Sequence, residues 1–390
     1  MTKTTLAPLN IINALIPGYQ DRQMLFINRD GIVEQIVPMS NIIKRVPLKD
    51  LQILDAQNDW ISLGGVDLQI NGALGTAFPD LNTENAGSLQ KICDYLWDSG
   101  VDAFLPTLVT TSVENIGQAL AVVADFMQNQ TSGAKVLGVH LEGPFLNPQK
   151  RGAHPEEYLL PLSLAEVRRV LGDFTSIVKV MTLAPELDSD NEVIPYLRQN
   201  GITVSLGHSQ ATAEQAQNAF NMGATMVTHA FNAMPPLHHR QPGLLGAAVT
   251  NKNVMCGFIA DGKHVSPMTI DLLLRASDYT KGLFLVSDAL APLGLADGTY
   301  PWDSREITVT DGTARLADGT LSGTTLPLLA GVQNLVKWGI CNLEVAIALA
   351  TTAPRGAIGL TGIQDAHASN LLRWNYDKTT NNLTWQRLLT

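Results

Sequence analysis

Charge is scarce in this 390-residue chain: 16% of its residues are Asp, Glu, Lys or Arg, against about a quarter in a typical soluble domain. So little charge beside 45% hydrophobic residues implies extensive burial, part of it expected in a homodimer or higher homo-oligomer. Basic charge is scarcer still. Twenty-six Lys and Arg face 36 Asp and Glu, and the net charge of -10 excludes nucleic acid or an anionic membrane surface as partners. An anionic substrate would therefore have to meet a local cationic seat. Cysteine is limited to Cys93, Cys256 and Cys341, odd in number and far apart, which excludes a disulfide framework and fits reduced thiols in a cytoplasm. No window holds the roughly 18 uninterrupted apolar residues of a membrane span. The first twenty residues, "MTKTTLAPLNIINALIPGYQ", carry one lysine and are broken by Pro8, Asn10, Asn13 and Pro17, so no export signal is expected and the chain reads as soluble and cytoplasmic.

What the sequence has in quantity is one repeated pattern. From Ser62 an apolar strand is followed by a helical segment, eight times: "SLGGVDLQI", "VDAFLPTLV", "KVLGVHLEG", "IVKVMTLAP", "ITVSLGHS", "TMVTHAFN", "VMCGFIADG" and "LFLVSDAL". Segments of helical period such as "SLAEVRRVL" and "ATAEQAQNAFNMG" lie between them. The alternation predicts a parallel sheet, and eight units in about 300 residues predict closure into a (β/α)8 barrel over residues 62–360. An open doubly wound sheet is the alternative, weakened because no Gly-rich nucleotide fingerprint follows the first strand. Residues 1–61 read as short strands, with a hairpin about Asp30-Gly31, and residues 361–390 read the same way; neither could bury a core alone, so the two are expected to pair into one small β-sandwich. A β-hairpin about Asp311-Gly312 is expected as an insertion near residues 300–320.

Against this apolar background the polar residues at strand ends stand out: Gln69 and Asn71 on the first strand, Glu142 on the third, His208 on the fifth, His229 on the sixth, Asp288 on the eighth, with His264 after the seventh. In a barrel these ends converge on one mouth. A carboxylate at the end of an apolar strand must recover its lost hydration from a cation, hydrogen bonds or a metal. Glu142 alone could serve an ion pair or a helix cap. With His208 and His229, one repeat apart on adjacent strands, it completes the two-imidazole, one-carboxylate set of a hydrolytic metal centre. Asp288, facing the same mouth, suits a general base for the attacking water. Arg240, a planar cation on the loop after the sixth strand, is suited to phosphate.

The stretches "HLEGPFLNPQKRGAHP", "SLGHSQA", "THAFNAMPPLHHRQPGLLGAA", "DGKHV", "LVSDALAPLG" and "LSGTTL" are rich in residues no fold requires. Through them the chain resembles the N-acetylglucosamine-6-phosphate deacetylase family of the amidohydrolase superfamily over nearly its whole length. The resemblance implies a barrel with a small β-sandwich built from both termini, and hydrolysis of the acetamide of N-acetylglucosamine 6-phosphate. It implies that Glu142, His208 and His229 hold one divalent metal (zinc foremost, with iron, cobalt or manganese as alternatives) and that Asp288 handles the proton. By the same resemblance His154 polarises the acetyl carbonyl beside Ala153; Asn232, Ala233, Arg240 and His264 hold the sugar phosphate; and Leu321, Ser322 and Gly323 line the pocket.

One feature departs from much of that superfamily. Gln69-Ile70-Asn71 stands where many members have His-x-His, and amides are poor ligands for zinc-like ions. The end of the fourth strand offers no lysine to bridge two metals, Lys179 lying too early in it. A single metal is therefore expected, which disfavours the first rival, a two-metal cyclic amidase of the dihydroorotase or allantoinase type. The second rival, a non-catalytic sugar-phosphate sensor, has no use for a poised base such as Asp288.

Overall fold

The computed structural model describes residues 8–41 and 52–389. The first seven residues of the segment read as lacking an export signal lie outside them, as do residues 42–51 of the first small-domain segment and Thr390.

The eight apolar runs form eight parallel strands: Gly65–Ile70, Val101–Val109, Val139–Glu142, Val178–Leu183, Thr203–Leu206, Met226–Val227, Met255–Phe258 and Leu283–Leu285. Each pairs in parallel with the next, from the first through to the eighth. The ring closes just past the eighth strand, where Asp288 N–H donates to Gln69 O and Asn71 N–H to Ala289 O. Val66, Leu68, Leu105, Val180, Met226, Phe284 and Val286 pack together inside the ring, while a larger cluster joins its outer face to the surrounding helices. The (β/α)8 expectation holds.

The helices start where their sequences provide caps. Ser163 accepts from Glu166 N–H to open Leu164–Leu171, which buries Val167, Val170 and Leu171. Thr212 and Gln215 form a reciprocal capping box at the start of Ala213–Met222, and Gly223, at φ +116°, ends that helix.

Two further sheets are built from the ends of the chain, the first mixed, since Leu9–Ala14 pairs in parallel with Gln52–Asp55, and the second antiparallel. Strands Leu9–Ala14, Gln23–Ile27, Val33–Pro38 and Gln52–Asp55 form one; Trp60–Leu63 with the hairpin Leu371–Asp377 and Asn382–Arg387 forms the other. Ile11, Leu25, Ile27, Ile61, Leu63 and Leu371 share one core, so the two ends of the chain meet in the same apolar layer. The insertion after the eighth strand is larger than the hairpin read from sequence. The turn at Asp311-Gly312 is there, but its two strands are the middle of a four-stranded antiparallel sheet: Gly298–Trp302, Arg305–Thr310, Thr313–Leu316 and Leu321–Thr324. The outer strands escape a hairpin reading because Pro301 interrupts one and "LSGT" has little apolar alternation. No described helix is long and apolar enough to cross a membrane.

Candidate active site

A cavity of about 290 Å³ opens at the C-terminal end of the barrel strands. Glu142, His208, His229 and Asp288 lie in it, with Asn71, Ala153, His154, Asn232, Ala233, His264 and the stretch Leu321-Ser322-Gly323. Glu142 ends its strand, but the other three follow theirs by two or three residues, in the left-handed region: His208 at φ +48°, His229 at +25°, Asp288 at +47°. Each such residue costs on the order of 1–3 kcal/mol unless its surroundings hold it there. The strain turns these side chains from the strand direction into the mouth.

His208 Nδ1 lies 2.8 Å from the Lys150 carbonyl, which only accepts, so the ring proton sits on Nδ1 and Nε2 presents a lone pair. That Nε2 is 3.1 Å from Glu142 Oε1 and 3.0 Å from His229 Nε2, and His229 Nε2 is 2.9 Å from the same Glu142 oxygen. Three candidate ligand atoms thus form a triangle, and only His229 can supply it with a proton, its Nδ1 being buried without a partner. Tetrahedral ligands about 2.1 Å from one ion stand about 3.4 Å apart, a few tenths of an ångström more than these spacings, and both imidazoles and the carboxylate suit a divalent metal. The residues fit the group.

The fields here are strong. Burial alone would raise the Glu142 carboxyl, but its contacts with His208 and His229 outweigh that and hold it well below the usual range. Burial would likewise lower His229, and Glu142 reverses it, so His229 is raised. Burial, reinforced by the charge of Glu142, pushes Asp288 up to about 6. His154 is pushed down to about 3 by burial and then by His208, so it is neutral at physiological pH.

Gln69 and Asn71 enter the site as donors. Gln69 Nε2 reaches Glu142 Oε2 and Asp288 Oδ1, each at 3.1 Å, and Asn71 Nδ2 reaches Asp288 Oδ1 at 2.8 Å. Both amides thus spend their N–H groups on the site's carboxylates. Asp288 Oδ2 keeps no partner among the described residues.

Arg240 is the expected site residue that the cavity of one chain does not include: it is exposed, on the loop beyond Asn232 and Ala233, next to His238 and His239. No Lys or Arg is among the described residues lining the cavity. Sequence reasoning misses Thr110, which bonds His154, although it too follows a barrel strand, and it misses Trp302, Asp303 and Thr320 from the insertion and Tyr158. Thr110 satisfies the same strand-end rule that singles out Glu142; the other four sit in loops and added strands with no periodic signal.

Comparison with known proteins places the chain. No family model matches it. It is 37% identical over 324 residues, 80% of this chain and 78% of the relative, to a Bos taurus protein named N-acetylglucosamine-6-phosphate deacetylase. It is 32% identical, over 89% of this chain and 88% of the relative, to an Escherichia coli O157:H7 protein named N-acetylgalactosamine-6-phosphate deacetylase. Among solved structures, N-acetylglucosamine-6-phosphate deacetylase from Pasteurella multocida superposes with a TM-score of 0.82 at 29% identity, covering 97% of this chain and 100% of that one. The resemblance carried by the strand-end motifs is therefore one of descent, and the chain belongs to the N-acetylglucosamine-6-phosphate deacetylase family.

Proposed function

We propose that this chain hydrolyses the acetamide of N-acetylglucosamine 6-phosphate to glucosamine 6-phosphate and acetate, with one divalent metal, zinc foremost, held by Glu142, His208 and His229. The observation that carries the reading is the triangle of their three candidate ligand atoms beside Asp288, at the floor of a cavity large enough for a sugar. A cation bound there supplies Lewis acidity and lowers the pKa of water. Asp288 accepts the proton of the attacking water at Oδ2, while Gln69 and Asn71 hold its other oxygen. His154 donates a hydrogen bond to the acetyl carbonyl oxygen and steadies the charge that grows there. Asp288 then gives that proton to the amide nitrogen as the C–N bond breaks, so that the sugar leaves as the neutral amine and the acetyl group as acetate.

The same reading gives Asn232, Ala233, His264 and the Leu321-Ser322-Gly323 strand the sugar phosphate. His264 is held by Asp261, its Nδ1 2.7 Å from the carboxylate. Arg240 supplies the guanidinium that the cavity's own lining lacks. A cytoplasmic homodimer completes the reading, supported by exposed Leu237 near Arg240 and by exposed Met268 and Leu272 one turn apart on helix Pro267–Ala276. The division into a sandwich of residues 1–61 and 361–390 around a barrel of 62–360 belongs to it as well, supported by the shared core of both ends.

A cyclic amidase is disfavoured because Gln69 and Asn71 spend their N–H groups on carboxylates and because Lys179 is exposed, its ammonium near Ser176 O. Acetate release from N-acetylglucosamine 6-phosphate, compared with the galactosamine epimer, dihydroorotate and allantoin, tests the reading. Turnover confined to the acetylated sugar phosphates supports it; turnover of a cyclic amide, or of nothing, overturns it. Arg240→Ala should shrink the ratio of kcat/KM between phosphorylated and unphosphorylated N-acetylglucosamine; an unchanged ratio would show that Arg240 does not read the phosphate.

A further inference from the structure

Two contacts fix which nitrogen of His154 holds its proton. The backbone N–H of Thr110 donates to Nδ1 at 3.3 Å, and the Thr110 hydroxyl stands 2.8 Å from the same nitrogen. A backbone N–H only donates, so Nδ1 is an acceptor and the proton of the neutral ring is on Nε2. The hydroxyl donates to Nδ1 too, its other acceptor, the Glu142 carbonyl, being farther away at 3.4 Å. Nε2 makes no hydrogen bond among the described residues, and the ring lines the cavity.

The backbone is shaped for this contact. Val109 pairs with Glu142 across the second and third strands, so the next residues, Thr110 and Gly143, lie side by side. Gly143 has φ +90°, and a β-carbon there would collide with the Thr110 hydroxyl. The glycine of "LEGPF" thus leaves room for the group that reaches His154.

We propose that Thr110 is a positioning residue that locks His154 in the tautomer whose Nε2–H faces the substrate's acetyl carbonyl. The proposal rests on the reading of His154 given above. As the carbonyl carbon becomes tetrahedral its oxygen gains negative charge, and a ring already protonated on the facing nitrogen stabilises it without first exchanging a proton. The opposite tautomer would aim a lone pair at that oxygen.

Thr110→Val removes the hydroxyl at nearly constant shape. It should lower kcat about 10-fold with KM and metal content unchanged, and Thr110→Ser should restore kcat to within about 2-fold. In a His154→Ala background Thr110→Val should change kcat no further, because a residue acting through His154 has nothing left to act on. In wild type, 15N NMR of the imidazoles should show His154 protonated at Nε2, a readout that needs no variant. A His154 proton on Nδ1, kcat of Thr110→Val within 2-fold of wild type, or additive losses in the double variant would each overturn the proposal. If His154→Ala keeps wild-type kcat, the underlying reading of His154 fails instead.

Discussion

At the N-terminal end of the barrel strands, Asp102 is bound by Arg355 Nη2 at 2.8 Å and Arg387 Nη1 at 2.7 Å. At the C-terminal end of the same barrel, Glu142 meets two imidazoles and lies near a second carboxylate, Asp288. Both clusters are buried, but in the first the carboxylate is fully paired within the chain, even though Arg387 Nε is left without a partner. Each oxygen of Asp102 accepts from an arginine, Gly64 N–H adds a further bond, and Arg387 also stacks 3.4 Å over the Trp97 ring. Gly64 has no β-carbon for a reason: one would collide with Asp102. The second cluster leaves His229 Nδ1 and Asn71 Oδ1 without partners, packs three candidate metal-ligand atoms against one another and keeps three residues at positive φ. A closed ion cluster ties elements together; an open one holds its charge ready for something the chain does not contain.

The comparison can be broken most forcefully at the open end. His208→Ala and His229→Ala should each lose the metal and lower acetate release by more than about 100-fold, since the loss of even an outer-shell partner costs 10–100-fold. Full metal content in both variants would show that they are not ligands.

Next in size is Asp288→Asn. Metal and substrate affinity should persist while kcat falls on the order of 100-fold, as for removal of a general base; a variant within a few-fold of wild type would move the base elsewhere. The same variant sharpens the contrast in stability. The Asp288 carboxyl is raised from 3.8 to about 6, so in metal-free protein its protonated form favours the fold, and that contribution is lost as pH rises from about 4 through about 6. Metal-free Asp288→Asn should lack this part of the decline in denaturation midpoints. Identical profiles would show that Asp288 is not strained by burial and by Glu142.

The closed end should respond in the opposite way. Asp102→Ala strands two buried guanidiniums and should cost about 3–5 kcal/mol of stability, yet in protein that still folds, metal content and kcat should stay within a few-fold of wild type. Lost metal at retained stability would mean that the two ends are coupled.

The two clusters also differ in how far they can be read from the sequence. The strand-end rule finds Glu142, His208, His229 and Asp288 because each is a polar residue closing an apolar run, and the repeat fixes their common mouth. The rule does not show that Gln69 and Asn71 would act as donors, since that depends on distances between side chains on different strands. Asp102 begins an apolar strand, and its partners stand 253 and 285 positions away in the last helix and the last strand, where an arginine looks like any solvated one. Arg240 shows the converse: its type and loop suggest a phosphate site, but its place outside the cavity lining follows from a loop path that no periodicity encodes.

The central claim is that Glu142, His208 and His229 form one complete ligand set and that the amides at 69 and 71 prevent a second. Elemental analysis of purified protein, paired with acetate release from N-acetylglucosamine 6-phosphate before and after chelation, tests it most directly. One equivalent of divalent metal per chain, lost together with activity and regained with it, is the result predicted. Two equivalents both required for turnover, or full activity in the stripped protein, would contradict it.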